Sequence, residues 1–174
     1  MLESLITSKT RIRILVKFFI NAANMGHLRG LAEEMKESTN AIRKELNNLS
    51  EAGYLEKEAV QNRISYKANT KHPLFAVLQK IVFQHLGLDA LVVMILERMG
   101  EVKKIVVIGD YAEGNDSGTI EVVIVGDALN TKYIEQLAIK IEEQINRNVQ
   151  FLITQEYKGN GLTIYEGLEG RTER

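Results

Sequence analysis

The 174-residue sequence predicts an α+β fold in two parts: three helices closed by a β-hairpin, then a connector helix leading into a small α/β unit. Three observations predict it. Apolar residues recur at helical spacing in three segments before residue 52. Two short alternating runs follow at once, and from residue 88 helix-like and strand-like segments alternate around a Gly-containing loop.

Composition bounds the function. With 45% hydrophobic and 26% charged residues the chain is neither wholly disordered, collagenous nor membrane-embedded. It has no Cys, so disulfides, thiolate zinc sites and thiol nucleophiles are out, and the three His (His27, His72, His85) are too scattered for a metal motif. No cofactor and no metal are expected. The N-terminus, Met1-Leu2-Glu3-Ser4, has an acid where a signal peptide has a basic flank. The longest apolar run, Ala90 to Leu96, is far below the ~20 residues a bilayer helix needs. A cytoplasmic location without membrane attachment is expected. The formal charge of -1 hides an asymmetry: residues 1–72 hold 12 Lys and Arg against 8 Asp and Glu, whereas residues 73–174 hold 10 against 15. A basic head precedes an acidic body.

From Ser8, the segment Lys9 to Ala22 reads as a helix with Ile12, Leu15, Val16, Phe19 and Ile20 on one stripe and Arg11, Arg13 and Lys17 on a basic outer edge. Asn24-Met25-Gly26 reads as a break. A second helix, Leu28 to Lys36, places Leu28, Leu31, Ala32 and Met35 on one side. The third begins at a Ser38 or Thr39 cap, buries Ile42, Leu46 and Leu49, and ends at Gly53 in a left-handed cap. Its other face carries Thr39, Asn40, Arg43, Lys44 and Asn47 at offsets 0, 1, 4, 5 and 8. These side chains suit base edges and phosphates: Arg for guanine, Asn for adenine, Lys and Thr for phosphate oxygens. A merely solvated face is the alternative for an isolated helix.

The following runs, Tyr54 to Glu58 and Arg63 to Ala68, flank Val60-Gln61-Asn62. In the second, Ile64, Tyr66 and Ala68 are expected to face inward and alternate with Arg63, Ser65 and Lys67. Three helices with a polar third one, followed by a hairpin with a basic tip, describe a winged helix-turn-helix, whose third helix enters the major groove while the hairpin wing tracks the backbone. The stretch from Leu28-Arg29-Gly30-Leu31 through Ser38 to Leu46-Asn47-Asn48-Leu49-Ser50-Glu51-Ala52-Gly53-Tyr54-Leu55 resembles the helix-turn-helix of ArsR/MarR-type transcriptional regulators, over about two-fifths of the chain. The resemblance implies a homodimer on double-stranded DNA, with recognition helices about one helical turn of DNA apart. Arg63 is then the wing residue for phosphate or the minor groove. Some winged helices dock proteins instead, which is the alternative for this head.

Domains are expected at 1–70, a connector helix at 71–87, and 88–174. Pro73 suits the first position of the connector helix, with His72 as its cap, and Leu74 to Phe83 are apolar nearly all round, which suits packing on a second copy or an interdomain core. In the body, a helix from Asp89 to Arg98 leads to a strand at Lys104 to Ile108, a loop from Gly109 to Gly118, and a strand at Thr119 to Val125. A helix from an Asn130 cap to about Arg147, a strand at Val149 to Thr154 and one more run at Leu162 to Tyr165 follow. The tail Glu166 to Arg174 is expected to be frayed.

This order resembles the minimal nucleotidyltransferase domain of the DNA polymerase β-like superfamily over about Leu88 to Thr154, and the whole chain, with Asn69-Thr70-Lys71-His72-Pro73-Leu74-Phe75 as linker, resembles winged-helix proteins that carry such a domain. Active members read Gly-Ser, Ala-Arg-Gly and then an Asp pair on the next strand, which holds two Mg²⁺ ions. Here Gly109, Ala112 and Gly114 keep the frame, but Asp110 and Glu113 replace the Ser and Arg, and the Asp pair falls on Thr119 and Glu121. No Lys or Arg lies between Ile105 and Thr131, where five acids gather. A carboxylate ~4 Å from a phosphate charge costs roughly 1 to 4 kcal/mol, so the loop is a poor polyanion site. The expected protein is thus a DNA-binding transcriptional regulator and not an enzyme. Its degenerate domain serves regulation or oligomerisation, with an unidentified small ligand or protein as its partner. The enzymatic alternative is Mg²⁺-dependent nucleotidyl transfer through Glu121 and Asp116.

Overall fold

The computed structural model describes residues 1–168. The chain is mixed α+β with two sheets, and it divides into two compact units, residues 1–85 and residues from 86 onward. Among the described residues no single helix is long and apolar enough to cross a membrane.

The first unit opens with α1, Lys9–Phe19, whose first turn is capped by the Ser8 hydroxyl accepting from the Arg11 amide at 3.1 Å. It ends three residues before the expected Ala22 because the Asn24 side-chain amide folds back to the Lys17 carbonyl at 2.8 Å and satisfies a terminal acceptor. Met25 and Gly26 of the break expected at Asn24-Met25-Gly26 belong instead to a short strand, β1 (Met25–His27). Gly26 permits it, since a Cβ there would lie 2.7 Å from Leu31 Cδ2. Helix α2, Leu28–Met35, stops at Lys36 in the left-handed region. Helix α3, Thr39–Glu51, starts on Ser38, whose hydroxyl accepts from the Ala41 amide. It closes where Gly53 (φ 81°) turns the chain so that the Tyr54 amide reaches the Leu49 carbonyl.

Strands β2 (Leu55–Val60) and β3 (Arg63–Ala68) form the hairpin, and Gln61 and Asn62 both have positive φ, the two-residue turn whose twist matches the strands. β1 pairs antiparallel with β3, so the sheet order is β1-β3-β2. Tyr66 and Ala68 face the core as expected from alternation, but Ile64 does not reach it and is 56% exposed. The core holds Ile14, Phe18, Phe19 and Ile20 of α1 and its C-terminal end, Leu31 of α2, and Ile42 and Leu46 of α3, all nearly solvent-free. Pro73 lies in a turn before α4 (Phe75–Leu86), two residues ahead of the first helical position expected for it. His72 does act near that terminus, with Nδ1 accepting from the Leu74 amide and its ring on Tyr54.

The second unit contains α5 (Leu88–Arg98), β4 (Glu101–Ile108), α6 (Gly109–Ala112), β5 (Thr119–Asp127), α7 (Ile134–Ile145), β6 (Asn148–Thr154) and β7 (Leu162–Glu166). The sheet runs β6-β5-β4-β7, with β5 and β6 parallel and the other pairs antiparallel. Buried Leu91 and Ile95 of α5 and Leu137 and Ile141 of α7 supply the helical side of the core. Val106, Val123 and Val125 form a second cluster, against which Ile108 and Tyr157 pack. Asn130 heads a 3₁₀ turn, and α7 begins only at Ile134, ending at Asn146 in the left-handed region. Of the tail expected to be frayed, Glu166 belongs to β7, and residues 169–174 lie outside the described residues.

Gly87, between α4 and α5, has φ +80°, and a Cβ there would stand 2.5 Å from Ile145 Cγ2. Gly87→Ala is therefore expected to destabilise the protein by about 1 to 3 kcal/mol in urea unfolding; an unchanged midpoint contradicts this packing.

Candidate nucleic-acid interface

Nine cations of the first unit fall into two sets, and Lys9, Lys36, Lys71 and Lys80 stand apart from both. Arg11 Nε donates to the buried Glu45 carboxylate at 2.7 Å, Arg13 pairs with Glu37 at 2.9 Å, Lys17 with Glu34 at 2.8 Å, and Lys67 with Glu58 at 3.3 Å. The basic outer edge expected for α1 is thus committed to acids of α3 and of the segment around α2, and it presents no spare charge. Arg29, Arg43, Lys44, Lys57 and Arg63 form no ion pair among the described residues.

The second set has a common address. Thr39, Asn40, Arg43 and Lys44 are exposed on α3, and Asn47 is half-buried beside them. Arg43 Nη1 donates to Asn40 Oδ1 at 3.2 Å, one helical turn back, which orders the guanidinium on that face. A groove of about 870 Å³ runs between α2, α3 and the hairpin, and Arg29, Arg43, Lys57 and Arg63 all line it, with Asn47 alongside. Glu33 is the single acid on its wall, and Tyr66 and Ile64 form its apolar part. The exposed Ile64 is explained by this placement, since the hairpin projects beyond the core there. Of the residues expected to contact DNA, the structure brings Arg43, Asn47 and Arg63 to one groove; Thr39, Asn40 and Lys44 lie on α3 but do not line it.

Sequence reading missed Arg29 and Lys57. Arg29 sits in the first turn of α2, where helical spacing marks only the apolar side. Lys57 lies on β2 across from Tyr66, its ammonium 6.0 Å from the ring, which puts it on the inner face of the hairpin. Only the register with β3 reveals that.

In the second unit the Gly loop is not a plain turn. Gly109 (φ 66°) opens the single-turn helix α6, Asp110 and Glu113 are exposed on it, and Gly114 (φ 84°) ends it. Glu121 lies opposite Ile108 and directly under Gly109, where a Cβ would collide with its carboxylate; Thr119 begins the same strand on the same face. The acids of this region are not all without counter-charge. Arg147 reaches Asp116 from beyond α7 with Nε at 2.9 Å and Nη2 at 2.7 Å, and the Tyr111 hydroxyl donates to the same carboxylate. The Tyr111 oxygen in turn accepts from the Gly118 amide at 3.1 Å. Sequence reading found no cation between Ile105 and Thr131 and so overlooked Arg147, which arrives from 31 residues away. Among the described residues no group of three His, Cys, Asp or Glu side chains could hold a metal ion.

Comparison of the chain with protein-family models, curated proteins and solved structures gives no match.

Burial of Tyr111, then its hydrogen bond to Asp116 and the negative charge of that group, push its phenol well above the ordinary value of 10. The folded state therefore keeps the neutral phenol while the unfolded chain ionises. Its contribution is complete below pH 10 and is lost as pH rises above it. Unfolding measured from pH 9 to 11 should show a steeper loss of stability in the wild type than in Tyr111→Phe; parallel curves contradict the assignment.

Proposed function

We propose that the first unit is a winged helix-turn-helix, with α3 as recognition helix and β2–β3 as wing, and that the chain is a homodimeric transcriptional regulator of double-stranded DNA. One observation carries this reading: Arg29, Arg43, Lys57 and Arg63, four cations without an ion pair among the described residues, line one groove beside α3, while Arg11, Arg13, Lys17 and Lys67 are paired to acids. Unpaired cations in a groove meet phosphate with little desolvation of existing pairs, and release of its counterions drives binding. Arg43 and Asn47 suit base edges, and Lys44, Arg29, Lys57 and Arg63 suit the backbone.

The second unit is read as a nucleotidyltransferase-like domain without catalysis, serving regulation or oligomerisation. Support comes from Asp116, the acid that a Glu121–Asp116 metal pair would require. Its carboxylate is already occupied by Arg147 and Tyr111, so a Mg²⁺ ion would have to displace a bidentate guanidinium. Incubation of the intact protein with labelled nucleoside triphosphates and Mg²⁺ is expected to give no transfer. Transfer that vanishes in Glu121→Gln contradicts this reading.

For the head, duplexes enriched from a random pool should bind the wild type, and Arg43→Ala should cost roughly 1 to 3 kcal/mol on the enriched sequence while narrowing the gap to random DNA. Equal losses on both duplexes would remove Arg43 from base reading. Absence of any duplex binding at low salt would favour a protein-docking winged helix.

A further inference from the structure

We infer that His27 is a phosphate-binding residue of the groove, donating a hydrogen bond to one strand of the DNA backbone and fixing how deeply α3 is seated. The inference rests on the DNA reading given above. His27 precedes α2 and lines the groove together with Arg29, Lys57 and Arg63. Its Nδ1 accepts from the Gly30 amide at 3.1 Å. An imidazole whose Nδ1 accepts carries its proton on Nε2, so that atom is a donor. Among the described residues Nε2 has no hydrogen-bond partner. The side chain is half-buried and therefore held, not swinging in solvent.

Two features show that the ring is placed. Gly30 lies flat beneath it: a Cβ there would stand 2.9 Å from Cε1 and 3.1 Å from Nε2. His27 is also a member of β1, whose pairing with Ser65 of β3 ties the ring's backbone to the hairpin. The donor is thereby fixed relative to both α2 and the hairpin strand that leads to Arg63. The groove wall holds four cations and one acid, Glu33, so the occupant is anionic. A phosphodiester strand satisfies this charge pattern and offers oxygens to a neutral N–H as well as to the cations.

A neutral donor has a signature that a cation lacks. It contributes affinity, but it displaces no counterion and leaves the salt dependence untouched. The test measures duplex affinity of the full chain over a range of KCl concentrations for wild type, His27→Asn and Lys57→Gln. Asn retains the cap on the Gly30 amide but cannot extend to the groove, so the thermal midpoint should stay near that of the wild type. His27→Asn should weaken binding roughly 3- to 10-fold at every salt concentration with an unchanged slope. Lys57→Gln should lower the slope by about one. Wild-type affinity in His27→Asn overturns the inference while leaving the DNA reading intact, and a slope reduced by about one in that variant overturns the neutral donor. Salt-independent or absent binding by the wild type instead removes the reading on which the inference rests. Should His27→Asn fail to fold, Gly30→Ala decides: it keeps the imidazole but displaces the ring, and equal affinity there overturns the inference.

Discussion

The Glu45 carboxylate is the constraint on which the first unit turns. It is buried in α3, where an unsatisfied charge is costly, and α1 supplies both partners: the Ser8 hydroxyl at 2.9 Å and Arg11 Nε at 2.7 Å. Ser8 at the same time caps α1, so one residue starts that helix and docks it. With Ile42, Leu46 and Leu49 buried on the same side, Glu45 fixes the roll of α3 about its axis. Thr39, Asn40, Arg43 and Lys44 have no direction left but outward.

The other acids of the head extend this logic. Glu34, Glu37 and Glu58 are taken up by Lys17, Arg13 and Lys67, and these pairs draw charge off the surfaces away from the groove. The more exposed of these pairs, Arg13–Glu37 and Lys67–Glu58, add little stability. Their consequence is a pattern: Arg29, Arg43, Lys44, Lys57 and Arg63, left without an ion pair among the described residues, gather along α3 and the groove beside it. The second unit shows the converse arrangement, in which Arg147 is spent on Asp116 and holds the loop after α6 against the end of α7.

Much of this was legible in the sequence where the signal is local. A Ser38 or Thr39 cap, Gly53 as a stop and the polar face of α3 follow from helical geometry alone. What escaped depends on partners far along the chain. β1 is three residues long and exists only because β3 pairs with it. Lys57 joins the groove through strand register, and Arg147 meets Asp116 through the packing of the second unit. The exposure of Ile64 was also beyond reach, because alternation assigns a face but not how far the core extends along it. Pro73 misled by two residues, since a fixed φ serves a turn as well as a first helical position.

The central claim is that the cations of α3 and of the groove beside it, and not basic residues in general, form the nucleic-acid surface. Acetylation of lysines followed by mass spectrometry, with and without duplex DNA at low salt, tests it most directly. The account expects Lys44 and Lys57 to lose reactivity when DNA is present, while Lys67, bound to Glu58, and Lys80, which lies on α4 and does not line the groove, keep theirs. Protection of Lys67 or Lys80 in place of Lys44 and Lys57, or no protection at all, would contradict it.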